Sequence, residues 1–62
     1  MSDLVSIDLR RRRVRYEDGT TARIESFVDR LGFDLLSWRE AVSIILDNGD
    51  EYELDDVRWA IV

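Results

Sequence analysis

The chain has 62 residues, with 14 acidic and nine basic side chains, no His, no Cys and a formal net charge of −5. The missing Cys and His exclude disulfides, the usual zinc sites and most nucleophile–base pairs of enzymes. We therefore expect one domain, residues 1–62, that is not an enzyme and holds no metal or cofactor.

The composition also predicts a soluble, cytoplasmic protein. The start of the chain lacks the basic and apolar regions of a secretion signal. No stretch approaches the roughly 18 apolar residues of a membrane span. Charge is uneven along the chain, since residues 1–15 carry five Arg and two acids, whereas residues 16–62 carry four Arg and twelve acids.

The first predicted element is a β-hairpin that joins strands near residues 5–17 and 20–28. Its turn contains Asp18 and Gly19. This dipeptide tolerates the positive φ angles of a two-residue type I′ turn. The β-rich runs on both sides of it support the same interpretation.

The first strand of this hairpin is expected to be irregular. Ile7 and Leu9 fall on odd positions, whereas Val14 falls on an even position. Because side chains alternate between the two faces of a strand, a straight strand cannot point all three inward. We expect a bulge or kink between residues 10 and 13, and a separate arm over residues 4–9 is the alternative.

A run of basic residues occupies this irregular region. On a strand, alternate Arg side chains project to one face, where contacts with phosphates would add salt-dependent affinity. The other interpretation is pairing with the chain's own acids, since a two-residue turn sets Arg12 opposite Glu25. The candidate nucleic-acid-binding residues are Arg10, Arg11, Arg12, Arg13 and Arg15.

The middle of the chain has two interpretations. Residues 26–31 and 38–46 place apolar side chains at helical spacing. In the second segment the β-branched Val42, Ile44 and Ile45 favour a strand instead. We expect a loop before this strand, with Trp38 at its border as a candidate interface anchor.

The second predicted hairpin joins strands near residues 41–47 and 50–54 through Asn48 and Gly49. The segment around it carries the densest negative charge of the chain. A solvated outer face is one interpretation, and docking on Arg and Lys side chains of a partner, in the place of phosphates, is the other. The spacing does not match a calcium loop. This acidic ridge consists of Asp47, Asp50, Glu51, Glu53, Asp55 and Asp56.

The end of the chain completes the predicted fold. Residues 54–57 indicate a turn or a single 3₁₀ turn, and residues 58–62 a last short strand. This order of elements resembles that of SH3-like small barrels in architecture alone. We expect a mostly β fold, a small antiparallel barrel or curled sheet of four or five strands with two hairpins. The expected core is Val14, Tyr16, Ile24, Phe27, Val28, Leu36, Val42, Ile44, Leu46, Tyr52, Leu54, Val57, Trp59 and Ile61.

Size and charge together suggest a binding protein. We expect a small acidic inhibitor or adaptor that docks on a basic surface of a larger macromolecule. Phage-encoded anti-defence proteins, including anti-CRISPR proteins, are one group in which such chains occur. A nucleic-acid-binding small barrel that uses the Arg run is the alternative. A third alternative is a structural subunit, a homodimer or larger homo-oligomer that adds a strand through residues 59–62.

Overall fold

A computed structural model describes residues 3–62. Six strands and two short 3₁₀ turns follow one another along this part of the chain. The 3₁₀ turns are Trp38–Glu40 and Arg58–Ala60. The strands are β1 (Leu4–Asp8), β2 (Arg13–Tyr16), β3 (Thr21–Val28), β4 (Asp34–Leu35), β5 (Ser43–Leu46) and β6 (Glu51–Glu53).

The strands form one antiparallel sheet that curls into a half-barrel. Its order is β1-β2-β3-β5-β6. The long strand β3 organises the sheet, because β2 pairs with its first half and the short β4 with its end, while β5 pairs on its other side. The expectation of a mostly β, curled antiparallel sheet is therefore confirmed.

Each predicted hairpin turn has three residues rather than two. In the first, the Tyr16 N–H donates to the Thr20 carbonyl and the Gly19 N–H donates to the Tyr16 carbonyl. Gly19 has a φ of 90°, and Asp18 is not among the residues with positive φ. This is a type I turn closed by a left-handed glycine, whereas a type I′ turn needs positive φ at both central residues.

The longer turn changes the register of the first hairpin. Arg13 lies opposite Arg23, and the Ile24 N–H donates to the Arg12 carbonyl. The expectation that Arg12 faces Glu25 across the hairpin is therefore wrong by one residue. An extra turn residue moves every cross-strand pair by one position, so loop length fixes which charges meet.

The same turn occurs a third time, within the expected loop. The Asp29 N–H donates to the Phe33 carbonyl, and the Gly32 N–H donates to the Asp29 carbonyl. Gly32 has a φ of 88°, and the Asp29 carboxylate accepts the N–H groups of Leu31 and Phe33 at 2.9 Å each. Gly32 thus ends a turn between β3 and β4 and not a helix.

The Arg run contains a reversal of the chain rather than a bulge. β1 and β2 pair antiparallel, with Ile7 opposite Val14 and Asp8 opposite Arg13. Arg12, the last residue before β2, has a φ of 58°. Because a reversal restarts the alternation of faces, Ile7 and Val14 both point inward despite their odd and even positions. A bulge does occur in β1, between Leu4 and Ser6.

The end of the chain is a 3₁₀ turn and not a strand. Arg58–Ala60 forms the turn, with Val57 and Ala60 buried three residues apart. This spacing fits the three residues per turn of a 3₁₀ helix. Ile61 then makes an isolated parallel bridge to Ile7, so the chain end lies along β1.

The core lies on the concave face of the sheet, with Val57 and Ala60 of the last segment packed into it. The expected members Leu36, Val42 and Trp59 are wrong, since their exposed fractions are 102%, 43% and 69%. Val28, Tyr52, Leu54 and Ile61 are partly buried. Within residues 3–62, no helix is long and apolar enough to cross a membrane. The buried hydrophobic residues are Ile7, Leu9, Val14, Tyr16, Ala22, Ile24, Phe27, Ile44, Leu46, Val57 and Ala60.

Candidate functional site

The acidic ridge follows the β5–β6 side of the sheet. Glu51 and Glu53 lie on β6, the terminal strand in the sheet order. Asp47 and Asp50 lie at the turn between β5 and β6, and the remaining two acids follow β6. All six side chains are exposed. The acidic ridge therefore extends along β6, from the β5–β6 turn to the segment after the strand.

Three of the six acids already have partners within the chain. Asp50 accepts a hydrogen bond from the Tyr16 hydroxyl at 2.9 Å, and Asp47 accepts one from the Arg23 N–H at 3.1 Å. Asp55 forms an ion pair with Arg58, three residues later. The members without a side-chain hydrogen bond or ion pair among residues 3–62 are Glu51, Glu53 and Asp56.

A buried tyrosine links the acidic ridge to the rest of the sheet. Tyr16 ends β2 and is 7% exposed. Its hydroxyl donates to Asp50 and accepts from the Asn48 side-chain amide at 3.0 Å. Burial raises the pKa of the Tyr16 phenol above its usual value of 10.0; Asp50 and Tyr52 raise it further, and Asn48 lowers it. This link ties the β5–β6 turn to β2.

The members of the Arg run differ in the contacts that they make. Arg10 is exposed in the reversal, and Arg11 lies 3.8 Å from the Asp8 carboxylate. Arg12 folds back onto the sheet, with its guanidinium 5.0 Å from the centre of the Phe27 ring and 3.4 Å from the Glu25 carbonyl. Arg12 therefore covers a core ring, although it also lines a groove beside Arg11 and Arg13.

A different set of arginines shares the outer face of β2 and β3. Arg13 and Arg15 are exposed on β2, and Arg23 is exposed on β3 directly opposite Arg13. We call Arg13, Arg15 and Arg23 the basic face. Sequence reasoning missed Arg23, because it stands alone in the sequence and only the register of the hairpin pairs it with Arg13.

Two open grooves border the basic face. One has a volume of about 580 Å³, and its lining consists of Arg11, Arg12, Arg13, Thr21, Ala22, Arg23 and Asp47. The other has a volume of about 380 Å³ and is lined by Arg11, Arg13 and Arg15, among others. Since Arg11 and Arg13 line both, the grooves adjoin along β2.

Exposed apolar side chains lie at the β3–β4 turn and just after β4. Leu31 and Phe33 flank Gly32 at the β3–β4 turn and are 75% and 65% exposed, and Leu36 follows β4. Trp59 is exposed, whereas Trp38 is partly buried against the core. Trp38, the candidate interface anchor, is therefore the less exposed of the two tryptophans.

These surfaces carry charged, hydrogen-bonding and apolar side chains. Among residues 3–62, no three His, Cys, Asp or Glu side chains come together as ligands for a metal ion. No family model, no curated protein and no solved structure matches the chain.

Proposed function

We propose that the chain is a non-enzymatic binding protein whose acidic ridge docks on a basic surface of a larger protein, as an inhibitor or adaptor. The observation that carries this proposal is that Glu51, Glu53 and Asp56 form no ion pair among residues 3–62. These carboxylates are exposed, and none lies within 4 Å of a basic side chain among residues 3–62. Charges left without internal partners are available to steer and orient an approaching partner.

The position of Glu51 and Glu53 on one strand supports mimicry of phosphate. Residues two apart on a strand point to the same face and lie about 7 Å apart. Opposite β6, Ser43 and Ile45 of β5 carry no charge that would neutralise them. Carboxylates occupy the same bidentate Arg sites that phosphates do. The proposed partner is therefore a protein with an Arg- and Lys-lined groove for nucleic acid.

Apolar exposure near one end of the ridge favours a protein partner. Val28 at the end of β3 pairs with Ser43 at the start of β5, which pairs with Glu53 at the end of β6. The β3–β4 turn, with Leu31 and Phe33, therefore leaves the sheet at the same end as the last acids of the ridge. Apolar side chains beside charged ones are typical of protein–protein interfaces.

The test is a capture experiment with a charge-matched control. The ridge variant carries Glu51→Arg, Glu53→Arg and Asp56→Arg. The control variant carries three equal reversals away from the ridge, at Glu17, Glu25 and Glu40. Both variants have a formal net charge of +1, since three reversals add six units to −5. Each immobilised chain is exposed to lysate of the native host, and bound proteins are quantified by mass spectrometry.

We expect at least one basic protein to bind the wild type and the control variant and to be lost from the ridge variant. Excess DNA should compete for that protein, because the ridge and phosphate would occupy the same groove. Equal capture by the ridge variant and the wild type would rule out the ridge as the docking surface.

A further inference from the structure

The basic face has no role in the proposed docking and lies on different strands from the acidic ridge. We propose that Arg13, Arg15 and Arg23 form a binding site for phosphate groups, and that the backbone of a single-stranded nucleic acid is the ligand that fits it. The site differs from the predicted Arg run, because it adds Arg23 of β3 and because Arg10 lines neither groove.

The first observation is a like-charge pair across two strands. Arg13 and Arg23 are direct cross-strand partners, and both side chains are exposed on the outer face. Like charges directly opposite one another destabilise a sheet. An anion bound between them would relieve this repulsion, so the pair is more stable with a ligand than without one.

The second observation is that this pair makes no ion pair among residues 3–62. No carboxylate in that range lies within 4 Å of the Arg13, Arg15 or Arg23 guanidinium. Two carboxylates lie near the basic face without pairing with it, since Asp8 stands opposite Arg13 on β1 and Asp47 lines the larger groove. Asp8 accepts the Arg11 N–H at 3.0 Å and lies beside the Arg11 guanidinium, and Asp47 accepts the Arg23 N–H.

The shape of the face suits consecutive phosphates. The two grooves adjoin along Arg13, and Thr21 lines both of them. Arg15 lies between Ser6 on β1 and Thr21 on β3, so two hydroxyl-bearing residues flank its guanidinium side chain. Arginine forks bind phosphate oxygens in pairs, and hydroxyl groups commonly add further phosphate contacts.

The three arginines of the basic face are unequally spaced, and this favours a flexible single-stranded nucleic acid as the ligand. Arg13 and Arg15 are two residues apart on β2, which places them about 7 Å apart, whereas Arg13 and Arg23 are about 5 Å apart across the strands. The face presents no exposed aromatic ring, since Tyr16 on β2 is buried. Without a platform for base stacking, binding should depend on phosphates and not on sequence.

The overall negative charge of the chain works against such binding, so we expect it at low salt. Three phosphates held by three arginines give a slope of log affinity against log salt of about −2 for a single strand. Removing one arginine should lower the size of this slope by about 0.7. A purely structural role for these residues would not change the slope.

Fluorescence anisotropy with the full chain tests the proposal. The probe is a fluorescein-labelled twelve-nucleotide oligothymidylate, titrated in NaCl from about 20 mM upwards, and pyrophosphate serves as the competitor. The variants are Arg13→Gln and Arg23→Gln, and the control is Arg30→Gln, which removes an equal charge at the β3–β4 turn. Arg23→Lys keeps the charge and should keep most of the slope.

We expect at least tenfold weaker oligonucleotide binding for Arg13→Gln and Arg23→Gln, and near wild-type binding for Arg30→Gln. Displacement by pyrophosphate would show that isolated phosphates also occupy the site, whereas resistance to it would assign the site to a polymeric backbone. Either result supports phosphate recognition. No binding of the oligothymidylate, or equal losses in Arg30→Gln and Arg23→Gln, would overturn the proposal. The ridge variant should still bind the probe, so this test is independent of the docking proposal.

Discussion

At the scale of single residues, Arg12 is held in a conformation that its side chain must stabilise. It has a φ of 58°, where non-glycine residues are uncommon, and its guanidinium covers the Phe27 ring at 5.0 Å. The cation–π contact and the packed stem are worth about 1–2 kcal/mol. The Arg12 Nε is buried without a partner among residues 3–62, and this offsets part of that gain.

Replacing Arg12 with Ala should therefore lower the free energy of unfolding by roughly 1 kcal/mol, because packing and cation–π losses exceed the relief of one unpaired donor. Alanine keeps the same backbone strain, so strain does not change. Urea unfolding measures the effect, with Arg30→Ala at an exposed turn as the control. An Arg12→Ala variant as stable as the control would show that the contact with Phe27 contributes nothing.

Tyr16 connects two turns through one hydroxyl group. Tyr16→Phe removes the bonds to Asp50 and Asn48 without changing the packed ring, and we expect a loss of about 1–2 kcal/mol. The pH dependence gives a second readout. Because the folded-state pKa of Tyr16 lies above its unfolded value of 10.0, the stabilisation is complete below pH 10 and is lost as pH rises further.

The pH effect can be measured as the unfolding midpoint of wild type and Tyr16→Phe below and above pH 10. The wild type should lose more stability over this interval than the variant, since the variant has no phenol to ionise at this position. Parallel curves for the two proteins would contradict the buried, hydrogen-bonded state of the Tyr16 hydroxyl.

Sequence is most informative about residues that are neighbours in the chain. The six acids of the acidic ridge are all exposed, and they lie within the short segment of the β5–β6 hairpin and the turn after it. The pairing of Asp50 with Tyr16 and of Arg13 with Arg23 could not be predicted, because each depends on the register or on contacts between separate hairpins. The prediction that Trp59 belongs to the core was wrong, because the 3₁₀ turn buries Val57 and Ala60 and leaves Trp59 exposed.

At the scale of elements, three glycines end the same kind of turn. Each has a φ between 88° and 91°, and nothing lies within 4 Å of the position that a Cβ would take. A substitution therefore acts through backbone strain alone. For Gly49→Ala we expect a loss of about 1–2 kcal/mol, the cost of a left-handed conformation for an L-residue.

Thermal unfolding of Gly49→Ala checks this value. For a domain of this size, 1 kcal/mol corresponds to a change of about 4–8 °C in Tm. Gly49→Asn should recover part of the loss, because Asn tolerates left-handed φ better than Ala does. An unchanged Tm in Gly49→Ala would mean that this turn does not have the conformation described.

Element-level predictions depended on the same glycines. Asp18-Gly19 and Asn48-Gly49 correctly indicated hairpins, but a dipeptide does not fix whether a turn has two or three residues. The reversal before β2 carries no Gly, Pro or Asn, so only the change of odd and even apolar positions signalled it. Two segments open to a helical interpretation contain strands, in agreement with the β-branched residues of the second.

At the scale of the whole molecule, the sheet separates charges instead of pairing them. The two ion pairs among residues 3–62, Arg11 with Asp8 and Arg58 with Asp55, are local and exposed, and such pairs contribute little stability. Among residues 3–62, no carboxylate lies within 4 Å of a guanidinium of the basic face, and only Asp55 of the six acids in the acidic ridge has a basic partner. Both proposed binding surfaces depend on this separation.

Separated charges leave like-charge repulsion in the native state, and salt should screen it. A net charge of −5 and the Arg13–Arg23 pair both disfavour the compact chain at low ionic strength. Stabilising surface pairs would have the opposite salt dependence, because screening weakens them.

The most direct test of this account is the Tm of the wild-type chain at about 20 mM and about 500 mM NaCl, where the screening length falls severalfold. We predict a higher Tm at high salt, because screening weakens the repulsion that the net charge and the Arg13–Arg23 pair leave in the folded chain. A Tm that falls as NaCl is added would mean that the charges of the folded chain are mutually paired, and would contradict the account.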